Sequence, residues 1–201
     1  SGSIAFGIQA LDYITGSANK FGIYKTSLYV DSTEIYSVIL DTVNFYENRY
    51  INSLIDYKKL IESKSTFHKL MKEPNNQLSI YRKLVNNGIF SFSDSLKHTV
   101  KIVLSDLYGN TSNVTFKVLS KPATSVESNN ITCERFFRYN ERNVYSDSLI
   151  EINIPENNLY KDICFKISKD TLAPKIGIID YFYSVHEETT PIHESIRIMF
   201  R

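Results

Sequence analysis

The sequence predicts a mostly β protein: an immunoglobulin-like β-sandwich with a helical insertion at about residues 47–72, followed by a smaller sandwich-like domain. Three observations carry that expectation. Tyr (14) and Phe (12) are abundant while Gly numbers only 7 and Trp is absent; aromatic and β-branched side chains fit a pleated, half-buried surface. Apolar residues alternate with polar ones over short stretches from one end of the chain to the other. Asn, Asp, Gly and Ser punctuate those stretches at the intervals of antiparallel strands joined by short loops.

In the first stretch Ile4, Phe6 and Ile8 point one way and Ser3, Ala5 and Gly7 the other. That strand runs out near Asp12, and residues 15–19 supply turn chemistry. Strands over 22–30 and 34–40, separated by Asp31-Ser32, have the spacing of a hairpin. The period then changes. Tyr50, Leu54, Tyr57 and Ile61 recur every three to four residues, with Lys58, Lys59, Glu62 and Lys64 on the opposite, wet face. Pro74-Asn75-Asn76 closes that segment. Strand patterning resumes at 77–81, and Asn86-Asn87-Gly88 marks a turn because Asn and Gly tolerate positive φ. Ile89, Phe90 and Phe92 form a short strand, and the clear alternation over 99–105 turns through 106–111 into 114–118.

Residues 121–130, rich in Ser and Asn and holding Pro122, read as a linker between a first domain over 1–120 and a second over 131–201. Strands are expected there near 133–138, 149–154, 163–168, 178–183 and 195–200. So short a domain lies near the size at which a core alone suffices for stability. Cys133 and Cys164 are either two buried thiols or one bridge; spacing leaves both open.

The 201 residues are 42% hydrophobic, enough to bury a core. Lys and Arg total 23 against 22 Asp and Glu, a net charge of +1 that argues against nucleic acid as a partner. The basic run from Lys58 to Lys72 reads as a solvated helix face before a docking patch. No apolar run reaches membrane-spanning length. The chain opens on Ser1 with strand-like sequence at once and no export signal, so it is expected to be a piece of a longer protein.

The sequence assembles no evident active site. His68, His98, His186 and His193 lack the close spacing that forces zinc ligands together, and Thr190-Pro191 disfavours a helix between the last two. No Gly-rich phosphate loop or Gly-x-Ser-x-Gly elbow occurs. No catalytic, cofactor-binding or metal-binding residue is therefore expected. Asp12, Asp31, Asp106 and Asn110, all at strand ends, suit either Ca²⁺ or turn chemistry, the preferred reading because Asp and Asn cap backbone groups in turns. Tyr13, Tyr46, Tyr108, Tyr181 and Tyr183 are the candidate ligand contacts, as a stacking platform for sugars or peptides.

Several blocks in order carry a resemblance: Ile8-Gln9-Ala10-Leu11-Asp12-Tyr13, Gly22-Ile23-Tyr24, Leu28-Tyr29-Val30-Asp31, Arg49-Tyr50-Ile51-Asn52-Ser53 and Asp106-Leu107-Tyr108-Gly109-Asn110-Thr111. With Ile154-Pro155-Glu156-Asn157-Asn158-Leu159-Tyr160 and Thr190-Pro191-Ile192-His193, they resemble the region downstream of the peptidase domain in lysostaphin-type zinc metallopeptidases, exported bacterial enzymes that cleave peptidoglycan cross-links. The chain departs from that pattern at Ser32, where relatives tend to carry Gly. The family's His-x-x-x-Asp and His-x-His zinc segments are absent, so no catalytic residue carries over. The resemblance implies a periplasmic or cell-surface setting. It also implies a partner peptidase domain, outside this sequence, that holds the zinc, and peptidoglycan or a surface glycan as the material bound. Asp41-Thr42-Val43, Asp94-Ser95-Leu96, Asp147-Ser148-Leu149 and Asp170-Thr171-Leu172 are similar to the Asp-Ser/Thr-apolar acceptor sites for O-glycosylation in exported proteins of some Gram-negative bacteria.

Overall fold

The computed structural model describes residues 2–13, 16, 18–92, 94–120, 133–171 and 181–201, with the side chains of Thr171 and Tyr181 excepted. The chain divides into two compact units, Ser1–Ser128 and Asn129–Arg201, both built mostly of β-strands. The linker expected over 121–130 lies outside the described residues.

In the first unit the strands are β1 (Gly2–Ile4), β2 (Gly7–Ile8), β3 (Asp12–Tyr13), β4 (Lys20–Phe21), β5 (Lys25–Val30), β6 (Thr33–Ile39), β7 (His68–Lys69), β8 (Tyr81–Leu84), β9 (Phe90–Phe92), β10 (Lys97–Ser105) and β11 (Thr111–Leu119). Five of them form one antiparallel sheet in the order β11-β10-β5-β6-β8. Its register explains its core. Ile102 faces Leu28 on one side and Val114 on the other, and Val100 faces Val30 and Phe116. Leu28, Val30, Val100 and Ile102 are all buried, and each such side chain stabilises the fold by about 1.5–3 kcal/mol. The intervening residues Tyr29, Lys101 and Thr115 point to the other face. Register shifts between Leu28 and Tyr29, the signature of a bulge.

The strand expected to run unbroken through Ile8 is split. β1 pairs with β9, placing Ile4 opposite Phe90, whereas β2 pairs with β7, placing Gly7 opposite Lys69. A change of partner is invisible to alternation, which reads only the chain's own faces.

The helical insertion is shorter than the 47–72 expected. It consists of a 3-10 turn (Phe45–Tyr50), α1 (Ile51–Leu54) and α2 (Tyr57–Ser63). Asp56 breaks the run and caps α2 by accepting the Lys59 N–H at 3.1 Å. Lys64 then adopts the left-handed conformation (φ 55°) and ends the helix. The residues beyond return as extended chain, with the Asp56 N–H donating to Phe67 O and His68 lying in β7.

Polar groups seat this insertion on the sheet core. Asn76, 1% exposed, donates from Nδ2 to Tyr50 O and to Ser53 Oγ (3.2 and 2.6 Å) and accepts the Leu78 N–H at 3.0 Å. Gly88, at φ +80°, closes the Asn86-Asn87-Gly88 turn where a Cβ would strike Leu70 O.

The second unit holds β12 (Phe136–Phe137), β13 (Asn143–Ser146), β14 (Ile150–Ile154), β15 (Ile163–Cys164), β16 (Ile167–Thr171), β17 (Tyr181–Val185) and β18 (Arg197–Phe200). β13, β14 and β18 form a three-stranded sheet, with ribbons β12–β15 and β16–β17 beside it in sequence. Ile150, Ile152 and Ile154 alternate inward along β14, and Phe137 stacks on Phe165 at 4.3 Å. The cysteines are bonded: Cys133 and Cys164, 31 residues apart, tie the chain ahead of β12 to β15. β13 had no strand signature because its pattern is inverted. Asn143 is buried, donating to Arg138 O and Glu141 O, while Val144 is exposed.

Candidate functional site

A candidate site gathering several of the sequence-predicted residues lies where β10 turns into β11. Asp106 builds that turn. Its Oδ1 accepts the N–H groups of Tyr108 and Asn110 (2.9 and 2.8 Å) and its Oδ2 accepts Asn110 Nδ2 at 2.6 Å. The Asn110 amide, helped by these backbone N–H groups, holds the Asp106 carboxyl below its ordinary range. Gly109, at φ +86°, completes the bend. Beside the turn is a cleft of about 160 Å³ whose polar wall includes Asp12, Ser105, Asp106, Asn110 and Thr111, over apolar Leu11 and Leu104. Two carboxylates line it and, among the described residues, no basic side chain does.

Asp12, Asp106 and Asn110 thus come together from among the four strand-end groups singled out by sequence. Asp31 does not join them: it sits at the other end of β10, bonded to His98 and to the Thr99 N–H. Two of the five candidate tyrosines flank the cleft in the chain. Tyr13 follows Asp12 in β3 and is 60% exposed; Tyr108 stands within the Asp106–Asn110 turn and is 89% exposed. Tyr46 belongs to the 3-10 turn, exposed and edge-on to Phe45 at 6.4 Å, an aromatic neighbour the sequence reading passed over. Tyr183 is half-buried in β17 with its hydroxyl donating to Asp147 Oδ2 at 3.1 Å, so its polar end is engaged in the second unit's own packing. Tyr181 begins β17, and its side chain lies outside the described residues.

A second depression, about 330 Å³, lies on the outer face of the large sheet, lined by Tyr29, Ser32, Thr99, Lys101, Val103 and Thr115. At its Ser32–Thr99 end stands a polar cluster. His98 directs Nδ1 at Asp31 Oδ2 (2.5 Å) and Nε2 at Asp94 Oδ1 (2.8 Å). Sequence reasoning missed this trio, since Asp31 and His98 are 67 positions apart and neither carries a motif.

The other histidines serve packing. Burial of His68 in β7 lowers its pKa. His186 stacks on Phe165 and accepts the Lys166 N–H at Nδ1, and its pKa too is lowered by burial. His193 Nδ1 meets the Tyr160 hydroxyl at 3.2 Å. Among the described residues, no three His, Cys, Asp or Glu side chains group as a metal site. No helix among those residues is long and apolar enough to cross a membrane.

Of the four Asp-Ser/Thr-apolar tripeptides, three present an exposed hydroxyl residue: Thr42, Ser95 and Ser148. In two of them the Asp carboxylate accepts the N–H two residues on, Asp94 from Leu96 (3.0 Å) and Asp147 from Leu149 (2.8 Å). The fourth, at 170–172, runs out of the described residues.

Residues 134–201 match the family model of the Zu5-like domain, a stretch that lies within the second unit. No curated protein and no solved structure matches the chain.

Proposed function

We propose that this chain is a non-catalytic accessory region of an exported metalloendopeptidase acting on peptidoglycan. In this reading its two β units are an immunoglobulin-like sandwich and a smaller sandwich-like domain, and they hold wall material beside the enzyme. The observation that carries the reading is the cleft at the β10–β11 turn. Wall glycans and peptides offer hydroxyl, amide and ammonium groups, and the Asp12 and Asp106 carboxylates, the Asn110 amide and the Ser105 and Thr111 hydroxyls are matching acceptors and donors. Tyr13 and Tyr108, next to Asp12 and within the Asp106–Asn110 turn in the chain, add exposed amphipathic rings. Two carboxylates, with no basic side chain among the described lining residues, work against phosphate-rich ligands. The ordered sequence blocks support a peptidase as the parent, with its zinc held by the separate domain.

The test is co-sedimentation of the purified chain with peptidoglycan sacculi, alongside an endopeptidase assay in the presence of zinc. Retention that weakens about tenfold in Tyr13→Ala or Tyr108→Ala, with no cleavage, is the expected result. Cleavage by the chain alone would overturn the non-catalytic reading, and retention indifferent to both substitutions would remove the cleft from it. A free-standing glycan- or protein-binding module would use the same cleft; it is distinguished by binding a soluble surface glycan while ignoring sacculi.

A further inference from the structure

An imidazole with a carboxylate oxygen on each ring nitrogen is in a specific chemical state. Carboxylates are acceptors only, so both nitrogens must carry a proton, and the ring is an imidazolium cation. His98 meets that condition, with Asp31 on Nδ1 and Asp94 on Nε2. The three residues come from different segments: Asp31 from the turn between β5 and β6, Asp94 from the loop between β9 and β10, and His98 from β10 itself. The same turn is held a second time, because Asp31 Oδ1 accepts the Thr99 N–H (2.8 Å) while the Asp31 N–H donates to Thr99 O (2.9 Å). Asp31 and Ser32 pay for this geometry with positive φ (47° and 67°), and Ser95, beside Asp94, has φ 59°.

Around the ring, the rings of Phe90 and Phe92 stand 5.9 and 4.9 Å away on β9, and Val118 faces it across the ladder on β11. The charged groups that act on it are Asp94 and Asp31. The imidazolium in turn screens the repulsion between these two carboxylates. We propose that Asp31, His98 and Asp94 form a pH-sensitive latch, closed while the imidazole carries both protons and open once it loses one, and that opening loosens the Ser32–Thr99 end of the outer-face groove. This is independent of the cleft at the other end of β10.

The pH window follows from the direction of each shift. The bonds from Asp94 and Asp31 raise the pKa of His98 above its ordinary 6.5, so the latch's contribution is full below 6.5 and lost as pH rises through the raised value. The bond from His98 is the largest effect lowering both Asp31 and Asp94 from 3.8, so their contribution is present above 3.8 and lost as pH falls through the lowered values. The latch is closed between those limits.

The test is a pH titration of the whole chain by NMR, following the His98 ring nitrogens and the hydrogen exchange of the Thr99 amide. Expected are a ring protonated on both nitrogens at pH 6.5, a midpoint above that value, and a fall of about one pH unit in the midpoint in Asp94→Asn. Thr99 protection should drop in step with ring deprotonation, beyond the ordinary base-catalysed rise in exchange. A ring already neutral at pH 6.5, a midpoint unmoved in a folded Asp94→Asn, or Thr99 exchange blind to the ring's titration would overturn the latch. If Asp94→Asn does not fold, the wild-type midpoint and Thr99 exchange decide alone.

Discussion

The two units solve the same problem of closing a β core with different means. Among the described residues, the first unit buries twelve hydrophobic side chains in one cluster, reaching from the sheet to Leu54 in α1 and Leu70 after β7. The second buries six, centred on β14 and the Phe137–Phe165 stack. Hydrophobic stabilisation scales with buried area, so the smaller cluster alone contributes far less. What the second unit adds is covalent: the Cys133–Cys164 bond closes 31 residues of chain around that core. It also adds a carboxylate hub, Asp147, which accepts Leu149 N–H, Ile150 N–H and the hydroxyls of Tyr145 and Tyr183. Both units also use polar struts between segments distant in sequence: Asn76 under the helical insertion and the imidazolium of His98 at the sheet's end in the first, and in the second buried Asn158, bonded to the Glu194 N–H and carbonyl. The lesson is that where apolar area runs short, cross-links do the work of core.

Four variants break or sharpen that contrast. With no Trp in the chain, unit-specific unfolding is best read in urea from methyl NMR signals of Leu28 and Ile152, both fully buried. Phe165→Ala removes one ring of the stack and its contact with His186, and should cost the second unit about 4 kcal/mol; loss of the Leu28 signal at the same urea concentration would show that the units do not unfold separately. Replacing Cys133 and Cys164 together by Ser should cost that unit about 3.5 kcal/mol and leave Leu28 unmoved. A change under about 1 kcal/mol would mean that the six-residue cluster suffices.

Asn76→Ala should cost the first unit about 2–3 kcal/mol, because it removes the donor to Tyr50 O and Ser53 Oγ and leaves the buried Leu78 N–H without its acceptor, although Ser53 still donates to Tyr50 O. An effect no larger than at an exposed Asn would deny it the strut role. Tyr183→Phe, which deletes one of the four bonds on Asp147, should cost about 1 kcal/mol in the Ile152 transition. Abolition of folding would instead make the hub as important as the disulfide.

How much of this was readable in the sequence varies by element. The hairpin of β5 and β6 and the pair β10 and β11 were legible because each is local: alternation declares the faces, and Asp31-Ser32 or the Asp106–Asn110 turn declares the reversal. The end of α2 was not, because Lys64 in the left-handed conformation leaves no mark in a residue type that rarely adopts it. β13 was missed because burial of Asn143 inverts the polar pattern. In the candidate cleft, the residue types were legible and the grouping was not. Asp12, Asp106 and Asn110 looked equivalent to Asp31 as strand-end oxygen donors, and nothing local distinguishes the one that pairs with His98.

By itself, then, the sequence determined the β class, the places where the chain reverses, and the residue types available at those reversals, since these depend on side-chain periodicity and turn chemistry within a few residues. Only the tertiary structure decided which strands share a sheet, that Cys133 meets Cys164, and that His98 lies between two carboxylates. Those outcomes depend on contacts between residues dozens of positions apart, set by which register buries the most apolar surface and leaves the fewest polar groups unpaired.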